Sequence, residues 1–234
     1  MKAIKLIVLL LTFIQLPASA AERLKTSPSV IKFKSLSVSP KDTAAINTLI
    51  RKGTKYLSFK NDTIDIVKNC IDSAVLICEK KNIDMPSGLH LLLARYNYIT
   101  GDLRSSFEEA SIALKQSTSD GESDIMAGTN LFLGDYYRRI NFYKESLECY
   151  GNAVSISEKE GLKGIRSLSY YLQSLVYRRI GDLKGERHNL QLMIDAAYDE
   201  KDSVNISFGY ERYGYSFLGD TTTSERRNFR MADS

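Results

Sequence analysis

The chain has 234 residues and a formal net charge of +4, from 32 Lys and Arg against 28 Asp and Glu, and the two signs are interspersed along it. This excludes the clustered basic face that nucleic acid requires. Three cysteines (Cys70, Cys78, Cys149) and two histidines (His90, His188) leave no even disulfide framework and no metal-ligand cluster, and no cofactor is expected.

The first twenty residues, "MKAIKLIVLLLTFIQLPASA", carry Lys2 and Lys5, an apolar run from Leu6 to Leu16, and small residues at Ala18, Ser19 and Ala20. This pattern predicts an export signal cleaved after Ala20. The run falls short of the ~20 residues a bilayer-spanning helix needs, and no later stretch replaces it. Ala21 and Glu22 follow the cut, so no lipid anchor is expected. The predicted product, 234 minus 20 or 214 residues with a net charge of +2, is an exported bacterial protein with no membrane span, periplasmic or secreted. Residues 21–42, with "TSPSV" and "SVSPKD", read as a flexible lead-in.

From residue 43 onward the chain repeats. "YRRI" stands at 137–140 and again at 177–180, and 177 minus 137 is 40. The segment 133–153 aligns without gaps to 173–193, and 93–113 has the same skeleton. In each, an apolar, aromatic-rich helix ends at Thr100, Ile140 or Ile180, a turn begins at Gly101, Asn141 or Gly181, and a second helix opens with Leu103, Tyr143 or Leu183. Glycine takes the positive φ that ends a helix, and Asn is the next most tolerant residue. On the second helices Phe107, Ala110 and Ala113, and likewise Leu147, Tyr150 and Ala153, fall on one face at three-residue steps. Forty residues upstream a turn is expected near 61, followed by a helix with Ile66, Cys70 and Ala74 on its apolar face. Cys70 and Cys78 lie too far apart along that helix for a disulfide and read as buried apolar residues. Ser119 and Glu122 are spaced as a capping box for the hairpin that follows, and Gly161 with Gly164 marks the next joint.

These residues resemble the tetratricopeptide repeat, whose pattern asks for Leu-Gly, a Tyr three residues on, a Gly at the turn and small or aromatic residues on the second helix. Leu133, Gly134, Tyr137, Tyr143, Tyr150 and Ala153 carry the resemblance in the middle repeat. Leu93, Ala94, Gly101 and Ala113 carry it in the one before, and Tyr170, Tyr177, Gly181 and Leu183 in the one after. The departures are Asn130, where Trp is common, and Glu186, where the other repeats have Ser106 or Ser146. The period of 40 exceeds the family's usual 34, as in the extended arrays of bacterial peptide sensors. The resemblance implies an all-α fold, a right-handed solenoid of hairpins at about 43–82, 83–120, 121–161 and 162–201, with an incomplete one at 202–234.

The resemblance also implies a groove lined by first helices that takes a peptide or protein segment. The groove positions of the family fall on Arg95, Tyr98, Asp135, Arg138, Arg139, Tyr171, Leu175, Arg178, Arg179, Glu211 and Tyr215. Arg pairs one repeat apart suit an acidic segment or a free C-terminus, because guanidinium binds carboxylate in a bidentate fashion. The alternative is that these cations only complement the negative ends of their own helices. The Lys and Asn set of the family's carboxylate-binding version is not found. No nucleophile, base and oxyanion set and no phosphate-cradling loop stands out, so an enzyme is not expected.

Three functional readings follow: an exported interaction module, the sensory input part of a membrane-spanning regulator, and, third, a secreted helical enzyme. In the last repeat a first helix is expected over about 203–218. The fourteen residues 221–234 look too short for its second helix, which predicts a piece of a longer array with Phe208, Tyr213 and Phe217 partly uncovered.

Overall fold

In the computed structural model each described turn at the forty-residue register is built by a residue type that can leave the helical region. The structure describes residues 39–57 and 63–232, the side chains only as far as Leu218. The expected signal, most of the expected lead-in and the turn expected near 61 lie outside these residues. Nine α-helices follow one another among the described residues, with no strand: α1 Pro40–Leu57, α2 Ile64–Lys81, α3 Ser87–Thr100, α4 Leu103–Asp120, α5 Ser123–Arg139, α6 Tyr143–Glu160, α7 Ile165–Ile180, α8 Leu183–Asp199 and α9 Ser203–Ala232. The end of the stretch read as lead-in is therefore helical from Pro40.

Helix α3 closes on Gly101 at φ 95°, α5 on Asn141 at φ 64° and α7 on Gly181 at φ 83°. Each turn leads at once into a second helix. The Asp102 side chain accepts the Ser105 N–H at 3.0 Å and Asp182 that of Gly185 at 2.9 Å, which satisfies a helix-start donor that would otherwise lack a partner. The same position on α6 is Phe142, which supplies no such bond.

The hairpins are clasped by a repeated contact. Ser106 Oγ donates to the Ala94 carbonyl at 2.9 Å and Ser146 Oγ to the Gly134 carbonyl at 2.7 Å, so a small residue on each helix lets the two backbones close. Gly134 shows why Leu-Gly recurs in such arrays: a Cβ there would lie 2.5 Å from the Tyr150 ring, which is fully buried against that helix. The clasp changes in the next hairpin. Glu186 replaces the serine, is buried, and lies 3.8 Å from the Arg178 guanidinium. Asn130, at the position where Trp is common, is buried and spends its amide on the Met126 carbonyl one turn back at 2.9 Å.

Three apolar clusters succeed one another along the stack, one with Ile46 and Val67 at α1–α2, one with Ala94, Ala110 and Phe132, and one with Tyr150, Tyr171, Leu190 and Phe208. No hairpin buries its own apolar faces; each is covered by the next. Several sequence expectations shift in detail. The buried face of α2 is Val67, Cys70, Ile71, Ala74 and Cys78, with Ile66 at its margin. Phe107 is not core: it is 36% exposed and stacks on Tyr136 and Tyr137 of the next repeat. The capping box does not form. Ser119 lies in the last turn of α4, and Glu122 itself occupies the position before α5, where its carboxylate accepts from Ser87 Oγ instead.

The largest difference is at the end of the chain. Where 101, 141 and 181 carry Gly, Asn and Gly, the register position 221 carries Thr, a β-branched residue that does not adopt positive φ. Helix α9 therefore runs on for 30 residues instead of stopping at 218 and turning. Phe208 is not left uncovered: it is buried against Tyr171, with ring centroids 5.0 Å apart. Tyr213 stacks on Phe217, and the Arg187 guanidinium lies 4.0 Å above the Phe217 ring, which stays 45% exposed.

Candidate functional site: the first-helix face

Helices α3, α5, α7 and α9 occupy equivalent places in successive repeats, and their equivalent residues form columns at forty-residue steps. One column reads Arg95, Asp135, Leu175, Tyr215; a second reads Tyr98, Arg138, Arg178. The sequence treats the arginines of this face as one ladder. The structure divides them.

Arg138 is turned inward onto its own helix. Its Nε donates to Asp135 Oδ1 at 3.0 Å and its Nη2 donates to the same oxygen, while the Tyr150 hydroxyl approaches that oxygen at 3.4 Å. Burial, the largest single influence, opposes the charge on Arg138, but Asp135 and Tyr150 together outweigh it and raise the guanidinium pKa. Arg139 crosses to the previous repeat. Its Nη1 donates to the Tyr98 carbonyl at 3.1 Å and its guanidinium lies 4.6 Å above the Tyr98 ring. It thus satisfies a C-terminal carbonyl of α3 rather than of α5, a version of the helix-terminus reading that links two repeats. Arg178 faces Glu186 across its hairpin, and Arg179 is exposed at the end of α7.

Tyr98 sits among these groups, edge-on to Phe132 at 5.6 Å between ring centroids. Its hydroxyl pKa is pushed up to about 12, by burial first and by the Asp135 carboxylate second, against the opposing pull of Arg139 and Arg138. Tyr171 and Leu175 lie mostly in the core between α7 and α9, whereas Glu211 and Tyr215 are exposed on α9.

Two guanidiniums have no such arrangement. Arg95 is half-buried on α3 and reaches toward α5, where its Nη2 would lie 3.9 Å from a Cβ built on Gly128. Among the described residues no carboxylate pairs with it, and burial alone lowers its pKa to about 10. The second, Arg212, is not among the residues the sequence pointed to. It occupies the column that carries Leu92, Phe132 and Leu172 in the three preceding repeats, each of them buried. Its guanidinium lies 4.8 Å above the Phe208 ring, and its Nε is buried with no hydrogen-bond partner. The Tyr171 hydroxyl, raised by burial first, feels the charges of Arg212, Arg138 and Arg178 together. A charged residue in an apolar column was the available signal for Arg212.

Among the described residues no group of three or more His, Cys, Asp and Glu could hold a metal ion, and no helix is long and apolar enough to cross a membrane. Cys70 and Cys78 are buried free thiols whose pKa values are raised by desolvation, and Cys149 is raised to about 11 for the same reason.

No protein-family model matches the chain. No curated protein matches it either. Among solved structures it is similar to a signal transduction ATPase with numerous domains that carries a tetratricopeptide repeat sensor, from Pyrococcus horikoshii. That match has a TM-score of 0.58 and 15% identity, and covers 81% of this chain. The chain spans 30% of the length of that protein. It is also similar to BtubC from P. vanneervenii, with a TM-score of 0.50, 14% identity, and coverage of 82% of this chain and 89% of that one. At these identities the likeness is one of fold: the chain is a tetratricopeptide-like solenoid of helical hairpins.

Proposed function

We propose that the chain is an exported protein-interaction module whose first-helix face takes a segment of another protein. The observation that carries this reading is Arg95. A half-buried guanidinium with no carboxylate beside it among the described residues is only partly hydrated, and a partner's carboxylate would complete its shell. The repeat fold supports the reading, since first helices set side by side present aligned columns of side chains, and the basic, apolar start of the sequence supports export. A photo-crosslinking phenylalanine analogue in place of Tyr215 on this face is expected to trap a partner in the exporting cell. The same group in place of Lys144, on the second helix α6, is expected to trap none. Equal adducts from both sites, or none from Tyr215, would count against the groove.

A second reading is the sensory input part of a membrane-spanning signalling regulator. It is favoured by the likeness to an ATPase whose repeats are described as a sensor and of which this chain spans less than a third. Fractionation of native cells separates the two. A soluble product close to the size of this chain supports the module, and a larger membrane-bound product supports the sensor.

A further inference from the structure

We propose that the outer face of α9 is a docking seat for one amphipathic helix of another protein, which packs there as α4, α6 and α8 pack on α3, α5 and α7. That helix carries a serine, an aromatic ring and a basic side chain at successive four-residue steps. The seat goes beyond the groove, since it closes the end of the array.

The forty-residue register identifies the face. Three columns on the first helices read Ser87, Ala127, Ser167, Ser207; then Leu91, Leu131, Tyr171, Glu211; then Ala94, Gly134, Ser174, Gly214. In every column the first three members are buried and the fourth is exposed. Positions 207, 211 and 214, at steps of four and three, share one helix face. In the earlier repeats that face is covered by the second helix of the same hairpin and by the next first helix. Ser106 and Ser146 donate to the Ala94 and Gly134 carbonyls, and Tyr171 packs on Phe208. Helix α9 runs on to Ala232 instead of turning, so the described chain supplies no second helix for it.

Gly214 specifies what fits. A Cβ on Gly134 would lie 2.5 Å from the Tyr150 ring, so an aromatic ring occupies that seat in the middle repeat, whereas a Cβ on Gly214 would meet no atom within 4 Å. One turn on, Leu218 is 58% exposed in the column that carries Tyr98, Arg138 and Arg178, and Tyr215 and Phe217 expose about half of their surface beside it. An apolar side chain set among these gains by being covered.

Charge selects the helix further. Glu211 stands where the earlier repeats have Leu91, Leu131 and Tyr171, and a wholly apolar helix would bury its carboxylate without a partner. On a helix antiparallel to α9, as each second helix is to its first, the turn after the ring is level with Glu211. A Lys or Arg four residues after the ring therefore pairs with it. A serine four residues before the ring reaches the Gly214 carbonyl as Ser146 reaches that of Gly134. A second copy of this chain offers no such helix, because its own Ser146 and Tyr150 are fully buried within their hairpin.

The test uses the full chain and fluorescent 18-residue peptides that copy α6, residues 143–160, with Ala in place of Cys149 and either Lys or Glu in place of Val154. The Lys peptide is expected to bind at least about tenfold tighter than the Glu peptide, and Glu211→Lys is expected to reverse that order. Ala in place of Tyr150 in the Lys peptide should cost at least about tenfold. Gly214→Leu should weaken the Lys peptide by a similar factor without lowering Tm, because its side chain enters open space and leucine suits a helix better than glycine. The proposal is overturned if the two peptides bind Glu211→Lys in the same order as the unaltered chain. It is also overturned if Gly214→Leu binds the Lys peptide unchanged, which would mean that the peptide exchanges with the native α6, or if no peptide binds. Sedimentation of the chain alone should give a monomer. A dimer that Gly214→Leu dissociates would assign the seat to a second copy and overturn the proposal as well. The groove reading is judged separately, by the Tyr215 crosslink.

Discussion

Gly134 has no room for a methyl group, and that makes it a place where two effects of opposite sign can be weighed. Glycine inside a helix costs about 0.5–1 kcal/mol relative to alanine, so Gly134→Ala would stabilise α5 in isolation. In the folded hairpin the new Cβ would fall 2.5 Å from Tyr150, a fully buried ring that cannot retreat. Overpacking of this kind costs about 1–3 kcal/mol, so the variant is expected to be less stable, read as a lower Tm. A second residue-scale prediction concerns Tyr98. Its ordinary value is 10.0, and in the fold it is raised to about 12. The folded state therefore holds the phenolic proton more tightly than the unfolded state. The stability this contributes is complete below pH 10 and is lost as pH rises through about 12. Tyr98→Phe keeps the ring beneath Arg139 and removes the titration, so its Tm should fall less steeply across that window than that of the unaltered chain. Parallel alkaline melting curves for the two proteins would contradict the assignment.

The element scale is governed by how helices start and stop. At the position before the second helix the register reads Asp102, Phe142, Asp182, and the three share nearly the same backbone angles, φ −79°, −87° and −86° with ψ 79°, 73° and 85°. Only the two aspartates cap. Phe142 is 53% exposed, so replacing it sacrifices little burial. Phe142→Asp should therefore stabilise by about 1 kcal/mol, and Asp182→Ala should destabilise by about the same amount. Urea titration of both variants measures the pair; a Phe142→Asp variant no more stable than its parent would show that the exposed ring contributes something the cap cannot replace. The same logic explains α9. Its register gives the chain Thr221 where a turn needs glycine or asparagine, and the helix continues.

For the whole molecule, stability is a chain of nearest-neighbour interfaces. Phe208 is the buried side chain through which α9 grips Tyr171 of the preceding repeat. Phe208→Ala should cost about 3–4 kcal/mol at that interface. Hydrogen exchange should locate the loss: faster in α9 and α8, and unchanged in α1 to α4, which belong to the earlier repeats. Uniformly accelerated exchange would mean that the array unfolds as one cooperative block.

The sequence by itself determined the all-helical class, the forty-residue step, and the turns at 101, 141 and 181, because each depends on a residue's own backbone preference and on the spacing of apolar side chains along one helix. It also carried the unused signal that Thr221 cannot turn. What only the tertiary structure decided is which side chains meet across repeats. Arg139 is spent on the Tyr98 of the previous hairpin, Phe107 lies on the tyrosines of the next, and Glu122 pairs with Ser87 rather than closing its own helix. On the first helices Arg138 and Arg178 face carboxylates of the chain and Arg95 and Arg212 face none among the described residues, since a guanidinium's charge is fixed by its covalent structure but its partner is fixed by the neighbouring helices. Local preference is written residue by residue, whereas the compensation of a buried charge exists only once the hairpins have stacked.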